Sequence, residues 1–293
     1  MATKPNIALR ERAVLVTFCD SIWVASKVDK KTTAKTIADH EAKTGAGWFK
    51  GRLISKAALA PRWEVSHKAR AYHNRTSSPW MNDGVRLLPA TLLSEYMKQM
   101  RKFQSEAEGA ETVFFKEYKD HIEEAKKLRG KLFNAEDYPA PDTLRGKFNF
   151  RVDVLPLPNV EDWRCPNMEE VDFAALKKSA EATLAQAQTA VLQDLYERLN
   201  GVVAHMRDRL KKSDAKFKNS IVGNIKEMVD LVAKLNITAD PKLEALRKEI
   251  EQKLSKQDPD ELREVQGKRD AVAKDADAIL KKMASFMGPA SKK

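Results

Sequence analysis

At 293 residues, 42% of them hydrophobic, the chain is long enough to bury one large or two ordinary cores without a metal or disulfide framework, which excludes global disorder. Its two cysteines, Cys19 and Cys165, allow one disulfide at most and fit a reducing compartment in which they act as small buried hydrophobes. A formal charge of +11 favours a polyanionic partner, and no run approaches the roughly 18 apolar residues of a membrane span.

The opening segment, MATKPNIALRERAVLVTF, has no uninterrupted apolar core followed by a small-residue cleavage site, so a soluble, unexported protein is expected. The charge is unevenly placed. Residues 1–105 carry the whole surplus, and residues 106–293 are balanced. Four of the five tryptophans, Trp23, Trp48, Trp63 and Trp80, lie in the same basic third.

In chain order, AVLVTFCD (13–20) is rich in β-branched and aromatic residues and predicts a strand. TTAKTIADHEAKTG has a short helical pattern that Gly45 and Gly47 would end, and residues 55–71 read as helix despite Pro61. ARAYHNRTSSPWMNDGVRLLPA then interrupts the helices. Pro79 bars a central helix position and Asn82-Asp83-Gly84 is turn chemistry, so a hairpin or ordered loop is expected over 73–88. Tyr72, His73, Trp80 and Arg86 are read as an ordered junction there, with Trp80 packed and Arg86 pairing or binding. From 91 to 129, Leu92, Tyr96, Met100, Phe103, Phe114, Tyr118 and Ile122 recur at helical spacing, with Gly109 as the expected break.

DYPAPDTLRGKF suggests a proline-led turn. In NFRVDVLPLP, Phe148, Phe150, Val152 and Val154 alternate with polar residues, predicting a strand over 148–155 that Pro156 and Pro158 stop. EDWRC could supply a short partner strand, and the prolines from Pro156 to Pro166 divide a basic mixed α/β module (1–166) from an all-helical one (167–293). In the latter, Leu176, Ala180, Leu184, Ala187, Val191, Leu195, Leu199, Val202, Met206 and Leu210 advance about 3.8 residues per step, which favours a long straight packed helix over a heptad coil. Further helices are predicted over 215–235, 241–254 and 259–287, the last two opened by Asp240-Pro241 and Asp258-Pro259, each an N-cap candidate before an N1 proline. The fold class is therefore mainly α, with long helices forming a C-terminal bundle and a small β element in an N-terminal α+β module. Such helices satisfy their stripes within one chain or against a second copy, and a homo-oligomer is expected.

Motifs for chemistry are sparse. His67 and His73 have no cysteine or acidic partner at metal-ligand spacing, and His40, His121 and His205 stand apart, so no metal is expected. GAGWFKG (45–51) lacks the Gly-Lys-Ser/Thr ending of a phosphate loop and reads as an ordinary loop. Glu123-Glu124 and Glu169-Glu170 are adjacent on helices and diverge by about 100 degrees, which suits a solvated face rather than paired acid-base work. No cofactor and no enzymatic activity are expected. One feature has a positive reading: Lys27, Lys30, Lys31, Lys35, Lys43, Lys50, Arg52 and Lys56 are opposed within their stretch only by Asp29, Asp39 and Glu41, and Trp48 and Phe49 lie among them. Cations that neutralise phosphates beside rings that stack on bases form a nucleic-acid surface; the competing reading is solvated lysines and core tryptophans. Of these, Lys27, Lys30, Lys31, Lys35, Trp48, Lys50 and Arg52, with Arg70, Arg75 and Arg86, make up the candidate interface, for DNA or RNA.

DSIWVASKVDKK, ARAYHNRTSSPWMNDGVRLLPA, DTLRGKFNFRVDVLPLPNVEDWR and DPKLEALRKEI, in this order, resemble an uncharacterised family of tailed-bacteriophage proteins, over most of the chain. The resemblance implies a phage origin and a host bacterial cytoplasm; it brings no activity and no site residues. The function expected is that of a non-enzymatic phage interaction or assembly protein that contacts nucleic acid through residues 27–86. The alternatives are a protein-only adaptor or scaffold, for example for a phage ATPase or assembly complex, and an enzyme whose site is assembled from distant residues.

Overall fold

The computed structural model describes residues 9, 11–80, 84–158, 170–212 and 217–287. Two compact units emerge that do not follow chain order: Met1–Thr17, Asn74–Tyr96 and Val154–Lys293 form the first, Phe18–His73 and Met97–Asp153 the second. The division expected at residue 166, the EDWRC segment with Cys165, and Asn82-Asp83 of the expected turn all lie outside the described residues.

β1 (Ala13–Ser21) is the strand expected from its Val and Phe content, one residue longer than the text suggested. Its first half pairs antiparallel with β5 (Val85–Pro89) from Ala13↔Pro89 to Thr17↔Val85, and β5 pairs in turn with the two-residue β4 (Ser78–Pro79). β6 (Asn149–Pro156) lies on the other side of β1, giving the order β4-β5-β1-β6. Phe150 and Val152 face inward as the alternation required, whereas Val154 is exposed. An edge strand that ends in Pro156 leaves its last residues uncovered.

In the first unit, α6 (Glu170–Leu210), α7 (Ser220–Leu235), α8 (Pro241–Ile250), α9 (Pro259–Glu264) and α10 (Gln266–Met287) make the long-helix bundle. α6 packs along α10 and α7. Leu195, Leu199, Met206, Ile225, Val232, Leu246 and Ile279 are fully buried between them, joined in one cluster by Trp80 and Leu87 of the hairpin region. The stripe of α6 begins at Leu184 rather than Leu176, which is exposed, and Val203 rather than Val202 is the fully buried position. Stepping four residues from Leu199 and then three to Met206 keeps one face of a 3.6-residue turn. Asp240 accepts the Leu243 N–H (2.7 Å) and Asp258 the Asp260 N–H (2.8 Å), so both Asp-Pro pairs cap their helices. The helix expected over 259–287 is broken at Val265, which adopts an extended conformation. The buried Arg269 guanidinium donates to the carbonyls of Leu262 and Arg263 and so satisfies the end of α9. α8 passes into a π turn, Glu251–Ser255, before it ends.

In the second unit, β2 (Ser26–Val28), α1 (Lys30–Asp39), β3 (Lys50–Arg52), α2 (Lys56–Thr76), α3 (Leu93–Lys116), α4 (Tyr118–Arg129) and α5 (Pro141–Arg145) follow in order, α2 and α3 each crossing into the first unit at one end. Trp23, Ile54, Leu59, Phe114, Tyr118 and Leu144 form the core. Gly109 does not break the helix; α3 runs through it, and a methyl there would meet nothing within 4 Å. The break falls at Glu117 instead, which carries Tyr118 into the same core as Phe114, ring centroids 5.6 Å apart. α2 runs on to Thr76, so His73 is helical rather than extended. Its buried face is Arg62, Ser66, Ala69, His73 and Thr76, a helical stripe made mostly of polar residues.

Arg62 explains how that face is tolerated. Its guanidinium, fully buried, donates to Asp20 Oδ1 of β1 (2.8 Å), Glu111 Oε1 of α3 (2.7 Å), the Asn149 carbonyl of β6 (3.2 Å) and Ser66 Oγ. A buried cation is costly alone and tolerable when its donors are spent on carboxylates and carbonyls. The network also offsets Pro61, which forfeits the bond to the Ala57 carbonyl inside α2.

Candidate nucleic-acid interface

β2 and β3 pair antiparallel, Ser26↔Arg52, Lys27↔Gly51 and Val28↔Lys50, and the chain between them folds as α1 and a loop. The result is a lobe of the second unit with almost no core of its own: no residue of α1 is buried. Hydrogen bonds hold it instead. Asp29 caps α1, accepting from the Thr32 N–H (3.0 Å) and hydroxyl (2.9 Å), and this pulls its carboxyl below the ordinary aspartate range. The Phe49 carbonyl accepts from the Asp29 N–H (2.9 Å), and the Phe49 N–H donates to Thr33 Oγ1 (2.9 Å), closing the loop onto α1. Gly45, at φ 97°, makes the turn that a side chain would resist.

Beneath the ribbon, Asp137 accepts from Lys27 Nζ (2.6 Å) and lies 3.8 Å from the Arg129 guanidinium, while the Tyr138 hydroxyl donates to the Leu53 carbonyl (2.7 Å). Gly51 lets the ribbon approach Arg129, whose Nη2 would meet an added methyl at 3.4 Å.

The candidate residues sort by environment. Lys30, Lys31 and Lys35 project from α1, and Lys50 and Arg52 from β3; among the described residues no carboxylate forms an ion pair with any of them. Lys27 belongs to the same lobe but is matched by Asp137. Trp48 is 72% exposed, with Phe49 beside it also exposed. Arg70, on the solvent side of α2, covers the Phe18 ring at 5.0 Å. Arg75 and Arg86 fall in the first unit. Arg75 reaches Glu227 at 3.7 Å. Arg86 donates to Ser77 Oγ and to the carbonyls of Ser77 and Asn74, and burial lowers its pKa, as does the nearby Arg198. Arg198 donates to the same two carbonyls and to that of Arg75, so the two arginines knit the end of α2 to the hairpin. That is the junction the sequence pointed to, built from hydrogen bonds, with Trp80 buried in the core beside it.

The lobe thus holds seven of the ten candidates: Lys27, Lys30, Lys31, Lys35, Trp48, Lys50 and Arg52 share it, and Arg70, Arg75 and Arg86 do not. Sequence reasoning passed over Trp63 and His67 on α2, whose rings lie 6.0 Å apart, because single aromatics on a helix usually mark core. Among the described residues no group of His, Cys, Asp and Glu could hold a metal ion, and no helix is long and apolar enough to cross a membrane. Compared with known protein families, curated proteins and solved structures, the chain matches none.

Proposed function

We propose that the chain is a non-enzymatic, phage-encoded interaction or assembly protein of the host bacterial cytoplasm that binds nucleic acid, single strands above all, through the β2-α1-β3 lobe. The observation that carries this reading is the pairing of an exposed Trp48 with lysines that have no ion-pair partner among the described residues, on a lobe that buries none of α1. A large ring left in water costs about 1.5–3 kcal/mol of burial it could have had, which favours a ligand that covers it. Bases stack on such rings at about 1–3 kcal/mol each, and lysines beside them neutralise the intervening phosphates. The resemblance to tailed-bacteriophage proteins supports the origin. Self-association belongs to the same reading, and one surface that suits it is the first turns of α6, where Leu176 is exposed and no described residue before Leu184 is buried.

The test compares two variants on a single-stranded oligonucleotide. Lys30, Lys31, Lys35 and Lys50 changed together to Glu should abolish retardation at about 100 mM salt, and Trp48→Ala should weaken it by roughly five- to a hundred-fold. If the parent retards no nucleic acid at that salt, the reading fails and a protein-only adaptor takes its place.

A further inference from the structure

Beside the lobe, in the same unit, lies a groove of about 580 Å³ that nothing so far uses. Its floor is apolar, formed by Ala25, Ile54 and Leu59, all buried. Trp63 lines it and is 40% exposed, with the tilted His67 ring beside it, and Val24, 66% exposed, lines it too. Arg52 and Lys56 stand at the mouth. The one acid there, Glu64, is drawn to Lys68 at 2.7 Å, and that hydrogen bond lowers its pKa. The chain is bent here: Ala25 sits at φ 49°, a left-handed conformation that L-residues rarely adopt, and its carbonyl accepts the Leu53 N–H at 2.8 Å. Strain of this kind persists where the surroundings over-determine it, often at ligand sites.

We propose that the groove seats one nucleobase of a bound single strand, stacked on Trp63, with the flanking phosphates on Arg52 and Lys56. This rests on the nucleic-acid reading and adds a second base position to it. Three features select this occupant. The volume lies within the range of small-ligand sites and is ample for a base with its sugar. The ring wall and apolar floor match a base face, and the two unopposed cations match its phosphates rather than an acidic-free apolar peptide. β3 (Lys50–Arg52) follows directly on Trp48 and Phe49 and ends at Arg52, which lines the groove, so the chain leads from the first aromatic platform to the second in four residues.

The experiment is fluorescence anisotropy of the full-length protein with three labelled strands of equal length: oligo-dT, oligo-rU and an abasic deoxyribose-phosphate strand. The parent should bind both base-bearing strands more tightly than the abasic one. Trp63→Ala should weaken the base-bearing strands by roughly five- to a hundred-fold and leave the abasic strand unchanged, while Trp63→Phe restores most of the loss. Val24→Glu, at an exposed position of the groove, should weaken all three. If Trp63→Ala and Val24→Glu melt like the parent and bind every strand as it does, while the four-lysine variant does not bind, the groove is empty and the lobe reading stands. If the parent binds no strand, both proposals fall.

Discussion

Tryptophan is the residue type whose role composition leaves open, because the same side chain serves as core anchor and as stacking platform. The structure separates the four described ones. Trp23 and Trp80 are each 8% exposed and belong to the two cores, whereas Trp48 stands in solvent. Trp23→Ala should therefore cost about 3–5 kcal/mol of stability, and Trp48→Ala no more than about 0.5 kcal/mol, as read from denaturant midpoints. A large loss at Trp48 would mean that the ring is structural. Arg62 makes an opposite case. Changing it to Ala leaves Asp20 buried without its partner, and a loss of about 3–5 kcal/mol is expected, more than Arg86→Ala should cost. Equal effects would show that the four-way Arg62 network contributes nothing beyond ordinary packing.

Elements whose logic is local were legible in the sequence. β1 follows from β-branched content, and α8 and α9 begin where Asp-Pro pairs place a capping carboxylate before a proline. The buried face of α2 was not legible, because Arg62, Ser66, His73 and Thr76 carry no apolar periodicity, and only the partners brought by β1, β6 and α3 make them core. The break at Val265 was hidden for a similar reason: it is stabilised by Arg269, whose role appears only once its donors meet the carbonyls of α9. For the site, the lysines were visible as a run, but which ring they accompany in solvent depends on what covers each tryptophan, a tertiary outcome. The bundle helices also set the acid response. Hydrogen bonds from Arg247 to Glu244, from Lys282 to Glu249 and from Lys211 to Asp277 hold all three carboxyls below their ordinary range. A depressed folded-state pKa gives stability that is complete above the unfolded value, near pH 4, and is lost as pH falls through the lower folded value. The melting temperature should be flat from about pH 7 to 5, fall below about 4, and fall less steeply in 1 M salt. A melting temperature unchanged down to pH 3 would remove these pairs from the account.

At the scale of the whole molecule, the helices bury their stripes inside one chain from Leu184 onward, and the start of α6 is a stretch of stripe left uncovered for the self-association proposed. Light scattering across a hundredfold concentration range should give a mass above 33.1 kDa that Leu176→Glu returns to it; a parent fixed at 33.1 kDa throughout would leave a monomer. The charge asymmetry has a clearer consequence. The proposed nucleic-acid binding through the lobe would release one condensed counterion for each neutralised phosphate, so affinity should fall linearly with salt on logarithmic axes. The most direct measurement is that slope, for the parent and for the variant in which Lys30, Lys31, Lys35 and Lys50 are changed to Glu. On a single strand the four lysines account for about 3 units of slope, at about 0.7 per phosphate contact, and the variant should be flatter by that amount or fail to bind. Parallel lines of equal slope for two folded proteins would show that the lobe does not contact the phosphates, and would contradict the interface at its centre.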